Sequence, residues 1–159
     1  MAWPQTPVST EQVFATLFSL GCSIGGTTSA PSPTPFNTMS RVFRQWSQFP
    51  VSAMPAFYQQ ETTQSATGWD RGVGIRKLRA WWWVYLPTGS NPQDISSLRM
   101  NNYLDALLLA ISPKVRGNKQ QLGLAGVVNC YPDGAILFDE GLMEPPAVFR
   151  IPITILIGN

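Results

Sequence analysis

The chain has 159 residues, 44 % apolar and 13 % charged, with six Trp, eight Phe, two Cys and no His. One domain spanning 1–159 is the default at this length, and such a chain buries roughly 68–70 % of its unfolded surface, enough for a core without disulfide staples. A formal net charge of +2 is too small to argue a polyanion partner by itself. The lack of histidine removes Ser-His-Asp and Cys-His nucleophile systems and most zinc sites.

At the N-terminus, residues 1–5 hold neither the positive n-region nor the apolar h-region of a secretory signal, and no run reaches the ~18 apolar residues of a transmembrane helix. The expectation is a soluble protein made in a reducing cytoplasm, with no membrane association and with Cys22 and Cys130 as free, packed thiols. Residues 9–20 are predicted to form a helix. Ser9 stands as N-cap, Gln12 occupies the fourth position of a capping box, and Val13, Phe14, Leu17 and Phe18 form one apolar stripe. Gly21 stands as the C′ stop. The stretch 25–35 is rich in Gly, Ser, Thr and Pro and reads as a flexible loop.

Residues 36–42 are predicted as a short strand, and 54–61 as a second, with Pro55 at its entry. Between them, Trp46 and Phe49 are large apolar groups in a connection, where they either fold back on the core or dock on another chain. The polar, Gly-rich stretch 62–74, which includes Trp69 and Arg71, reads as the tip of a long β-hairpin, and 75–86 as its return strand. Alternation puts Trp81, Trp83 and Tyr85 on one face of that strand and Trp82, Val84 and Leu86 on the other. A strand apolar on both faces is sandwiched, with a helix on one side and a second helix or another subunit on the other.

A second helix follows, capped by Asp94 or Ser96. Leu104, Leu107, Leu108 and Ile111 line it at helical spacing, and Pro113 ends it. The closing third, 126–159, reads as a hairpin turning at Pro132-Asp133-Gly134, then a strand with Ile151, Ile153, Ile155 and Ile157 on one face. The order α, β, β, β, α, β, β, β gives an α+β fold: an antiparallel or mixed sheet of about five to six strands, two helices packed on it, and a long β-hairpin arm.

Motifs that carry catalysis are lacking. The glycine stretch around Gly25 and Gly26 has no Gly-Lys-Ser/Thr ending, so it is not a P-loop. Asp139 and Glu140 are neighbours whose side chains diverge on an extended chain, which does not make a general acid/base pair. The one charge cluster is Arg71, Arg76, Lys77 and Arg79, with Arg41 and Arg44 upstream. It reads as sequence-blind phosphate contact, as a solvated strand end, or as arginines bonding across a subunit interface.

Four stretches carry a resemblance. They are Phe36-Asn37-Thr38-Met39-Ser40-Arg41-Val42-Phe43-Arg44-Gln45-Trp46-Ser47 leading into Met54-Pro55-Ala56-Phe57-Tyr58; the strand end Trp83-Val84-Tyr85-Leu86; Asn101-Asn102-Tyr103-Leu104-Asp105-Ala106-Leu107 continuing to Ser112-Pro113; and the run from Gln121 to Tyr131 with Asp139-Glu140-Gly141 and Ile151-Pro152-Ile153 behind it. In this order and spacing the chain resembles the tail terminator (tail completion) proteins of long-tailed bacteriophages over roughly residues 10 to 157. The Gly/Ser/Pro insert and the triple tryptophan depart from the usual pattern.

The resemblance implies a structural virion protein of the tail and neck, assembled in the host cytoplasm into a hexameric ring. The ring sits on the head-proximal end of the tail tube, ends tube growth and joins the tail to the head connector. Its partners would be further copies of itself, the tail tube protein, the connector or stopper protein and, non-specifically, passing genomic DNA. No catalytic site, cofactor or metal is expected. Low charge and surplus aromatics suit a subunit buried by neighbours, with Trp46, Phe49, Trp69 and Arg71 as interface candidates. The alternatives are another neck or tube ring protein (a head-completion or stopper protein, or a tail-tube subunit), a non-specific nucleic-acid-binding module using Arg71, Arg76, Lys77 and Arg79, and an enzyme.

Overall fold

The first helix, α1 (Thr10–Cys22), starts where the sequence says it should. The Ser9 side chain accepts a hydrogen bond from the Gln12 backbone N–H at 3.0 Å, satisfying one of the orphan donors of the first turn. Val13, Phe14 and Leu17 are buried along one face. The end differs from expectation: the helix continues through Gly21 to Cys22, and Ser23 closes it with both its N–H and its hydroxyl on the Leu20 carbonyl. Gly21 serves packing instead. A Cβ there would lie 2.3 Å from Cζ of Phe57, so only glycine lets the helix approach the sheet this closely.

The computed structural model describes residues 8–25, 33–48, 50–68, 74–88, 96–139 and 146–158, without the side chains of Trp46 and Ser96. After α1 come β1 (Thr38–Ser40), two single-turn 3-10 helices at Trp46–Gln48 and Val51–Ala53, β2 (Ala56–Thr67), β3 (Ile75–Leu86), α2 (Ser96–Ile111), β4 (Val127–Pro132), β5 (Leu137–Asp139) and β6 (Ala147–Gly158). The order of helices and strands is the expected one. The strands form one six-stranded mixed sheet in the order β1-β2-β3-β6-β4, with β5 also on β6, so the fold is α+β.

β1 is shorter than the predicted strand and runs parallel to β2, which makes the sheet mixed. Its start is fixed by Asn37 and Thr38, whose side chains donate to the Met54 and Ala53 carbonyls. It ends where the Ser40 hydroxyl takes the Val42 N–H. β2 continues into the stretch expected to be the tip, through a bulge between Glu61 and Gln64, to Thr67, where β-branched threonines suit a strand. The predicted arm is not a free-standing hairpin: β3 pairs with β6 at every residue from Ile75 to Leu86. The tip at 69–73 lies outside the described residues, as do most of the 25–35 insert and Asp94.

The closing third is also rearranged. β4 pairs with β6 at residues 153–157 and β5 pairs with it at 148–150. The two are successive pieces of one edge, not the arms of a hairpin. Pro132-Asp133-Gly134 makes a break in that edge opposite Pro152, whose carbonyl accepts the Asp133 N–H at 2.9 Å. A strand residue points its N–H and C=O to the same side. The break therefore falls where Pro152 has no donor to lose, and Gly134, at φ +124°, leaves room for the Pro152 ring.

Both helices pack on the same face. Phe57, Leu78, Ala80, Trp82, Val84 and the inward row of β6 from Phe149 to Ile157 join Phe14, Leu17, Met100, Tyr103 and Leu107 in one core. Inside it, Trp82 Nε1 donates to Gln59 Oε1 at 3.1 Å, and Gln59 Nε2 donates to the Phe14 carbonyl at 2.9 Å. This fully buried relay ties two strands to α1. Cys22 and Cys130 are free thiols. Burial pushes Cys22 up to about 11 and Cys130 up to about 12, so both stay protonated near neutral pH.

Candidate functional site

With both helices on one face, the opposite face of the sheet is left to shorter pieces of chain. Period two sets its rows: Lys77, Arg79, Trp81, Trp83 and Tyr85 on β3 beside Leu156, Thr154, Pro152, Arg150 and Val148 on β6. An α-helix on this side, one of the two expected ways to cover it, does not occur among the described residues.

At one end the segment 41–54 folds over the sheet. Phe43 stacks near Trp83 (centroids 5.0 Å apart) and Tyr58 (6.3 Å), the Tyr85 hydroxyl donates to the Arg44 carbonyl at 3.3 Å, and Met54, Ala56, Tyr58 and Tyr85 form a second small core. Burial raises the Tyr58 phenol and pushes Tyr85 up to about 12. The strap stops there. Trp81 and Trp83 are half-buried, edge to face at 5.9 Å, and the Arg150 guanidinium lies 4.1 Å over Trp81 and 5.5 Å from Trp83. Trp83 Nε1 donates to Gln60 at 3.0 Å.

The other end of the face is polar. The Asp133 carboxylate accepts from the Thr154 hydroxyl at 2.8 Å and Arg79 at 3.3 Å, with Lys77 at 3.8 Å. The Thr154 bond, with the Lys77 and Arg79 charges behind it, holds the Asp133 carboxyl below the usual aspartate range.

The basic cluster does not come together. Lys77 and Arg79 are on the open face, but Arg76 points to the helix side and bonds Thr10 and Gln64. Arg41 is taken by Glu11 and Glu61, which it pairs simultaneously. Arg71, Trp69 and Phe49 lie outside the described residues, as does the side chain of Trp46. Conversely, Phe43, Asp133 and Arg150 were not among the expected site residues. Arg150 stands in the outward row of the last strand, which period two shows, but its position over Trp81 depends on a strand register that the sequence does not give.

A groove of about 230 Å³ lies between the end of α2 and β4, lined by residues such as Ile111, Pro113, Asn129 and Tyr131, without a charged side chain. Among the described residues there is no group of three or more His, Cys, Asp or Glu placed to hold a metal ion, and no helix long and apolar enough to cross a membrane. Protein-family models give no match to this chain, and curated proteins give no relative.

Proposed function

We propose that this protein is a structural subunit of a long-tailed phage virion: a tail terminator that assembles into a ring on the head-proximal end of the tail tube, ends tube growth and joins the tail to the head connector. The family resemblance of the sequence motivates the reading. The observation that carries it is the unequal covering of the sheet. β3 is apolar on both faces, yet helices cover only one, and Trp81, Trp83 and Arg150 are left half-buried on the other. Exposed Val42 and Val51 lie on the strap. A chain with so few charges and an aromatic sheet face is suited to being covered by other chains; specific interfaces bury roughly 1,200–2,000 Å².

The nucleic-acid alternative has weaker support, because Arg76 is turned away from Lys77 and Arg79, and these two share Asp133. A stopper or tube subunit uses the same kind of surface and is separated by assembly behaviour. The test is the mass of the purified protein by light scattering, with electron microscopy in the presence of tail tubes. Closed rings that cap tube ends are expected. Long self-assembled tubes would move the assignment to a tube subunit, and a monomer indifferent to tubes would end the ring reading.

A further inference from the structure

Both ends of the sheet lack a further strand over part of their length among the described residues, and these lengths match. Among the described residues, β2 beyond Tyr58 has a neighbouring strand only on its β3 side, because β1 pairs only Ala56, Phe57 and Tyr58. Every residue from 61 to 67 is exposed. This half of the edge carries no Lys and no Pro; of the usual guards against strand addition it has the bulge between Glu61 and Gln64. Its one charge, Glu61, is already paired with Arg41. At the far end, among the described residues, β4 has a neighbouring strand only on its β6 side. On its outer side Pro132 has no N–H and the Cys130 N–H goes to Asn129 Oδ1, so it offers an added strand its carbonyls.

Following the register across the sheet puts these two edges at the same level. Glu61 lies opposite Ala80, Ala80 opposite Ile153, and Ile153 opposite Pro132; Gln64 leads likewise through Leu78 and Ile155 to Cys130. The free half of β2 is therefore level with β4, while the half that β1 covers is level with β5. Directions match too. β2 and β6 run one way, β3 and β4 the other. A copy placed beside another in the same orientation sets β2 antiparallel to β4.

The groove supplies a second observation. It is lined by four consecutive residues of β4, 129–132, whose side chains alternate between faces. It thus borders the edge of the strand and not one face, with the end of α2 as its other wall. Added strands bind an exposed sheet edge through main-chain hydrogen bonds, with neighbouring pockets taking alternate side chains. The small, uncharged side chains of Thr62, Thr63, Ser65, Ala66 and Thr67 suit the groove.

We infer that residues 61–67 of β2 add to β4 of a second copy, in the groove beside α2, so that successive copies join into one continued sheet. This rests on the ring reading above and names its lateral joint. A head-to-tail joint of this kind closes into a ring with no free edge when the rotation from copy to copy closes, and runs on as a filament when it does not. It places the helices on one wall and the face bearing Trp81 and Arg150 on the other.

The test is disulfide trapping in the full chain. Thr63, in the bulge opposite Arg79, is level with Tyr131, which pairs with Thr154 opposite Arg79. Neighbouring strands bring Cα atoms within the roughly 4.4–6.8 Å that a disulfide needs. The chain carrying Thr63→Cys and Tyr131→Cys is expected to give covalent species of three or more chains on oxidation, and each single variant only monomers, which also controls for Cys22 and Cys130. Ser65→Cys with Val128→Cys replaces that pair if it does not fold: Ser65 is level with Asn129 through Lys77 and Leu156, and Val128 stands in the bulge beside Asn129. An assembled ring whose double variants give no covalent multimer overturns the joint and leaves the ring reading standing. Dimers from Thr63→Cys alone overturn it in favour of β2 meeting its own copy. A wild-type chain that never assembles overturns both.

Discussion

Trp81, Trp82 and Trp83 are consecutive in the sequence and chemically identical, yet they belong to two different regions. Trp82 sits at 0 % exposure under both helices, with its N–H committed to Gln59. Its neighbours lie across the sheet, half-buried, partnered by Arg150 and Phe43. On the helix side, packing and hydrogen bonding are complete within one chain. On the other side, aromatic surface is only partly used by the chain itself. The difference indicates where folding ends and where association has room to begin.

The sharpest way to break this comparison is to truncate both kinds of tryptophan. Trp82→Ala is expected to cost about 3–5 kcal/mol for the lost ring. About 1–3 kcal/mol more follows from leaving the Gln59 amide oxygen buried without its donor. That is a large share of the ~5–15 kcal/mol of a typical domain, so the variant should be largely unfolded in a urea titration. Trp81→Ala should keep the folded baseline and reduce assembly. If the two variants lost equal stability, the distinction between the faces would be wrong.

Gly21→Ala is next. The new methyl would meet the Phe57 ring, and overpacking of this kind costs about 1–3 kcal/mol. At a helical position free of that clash, Ala would stabilise by up to about 1 kcal/mol over Gly, so an unchanged or raised stability in urea would mean that the Phe57 ring does not demand glycine here. Arg150→Ala is smaller again, about 0.5–1 kcal/mol for a partly exposed guanidinium on an aromatic face. Its larger consequence is expected in the capping of tail tubes, since the lateral joint lies at the strand edges.

Much of the helix side was legible from sequence. Spacing alone gave the stripe of α1, the row Trp82, Val84, Leu86, and the isoleucine row of β6. These are local periodicities that a single buried face enforces. What was not legible depends on pairing between distant segments. Pro132-Asp133-Gly134 has the composition of a reversal, but β6 offers a long edge with Pro152 in its middle, and the chain follows that edge instead of turning back. The 71–79 basic cluster is close in sequence and divided in space, since alternation sends Arg76 to one face and Lys77 and Arg79 to the other. Gln59 reads as an ordinary polar strand residue. Only the arrival of α1 over β2 makes it the buried link between Trp82 and Phe14.

The smallest expected effect concerns the polar end of the open face. Asp133 is held below its ordinary value of 3.8 first by the Thr154 hydroxyl, then by the charges of Lys77 and Arg79. A carboxylate whose pKa is lower folded than unfolded binds fewer protons in the native state. Its contribution is therefore full above the unfolded value and is lost as pH falls below 3.8 through the lowered folded value. Asp133 is well solvated, so the effect should be slight beside that of Trp82. Urea midpoints measured from neutral pH down to about pH 3 should fall less steeply for Asp133→Asn than for the wild type. The difference should shrink in high salt, which screens Lys77 and Arg79 but leaves the Thr154 hydrogen bond. Parallel acid profiles for the two proteins would mean that the break between β4 and β5 is held by the Asp133 N–H on Pro152 alone, and that the carboxylate adds nothing.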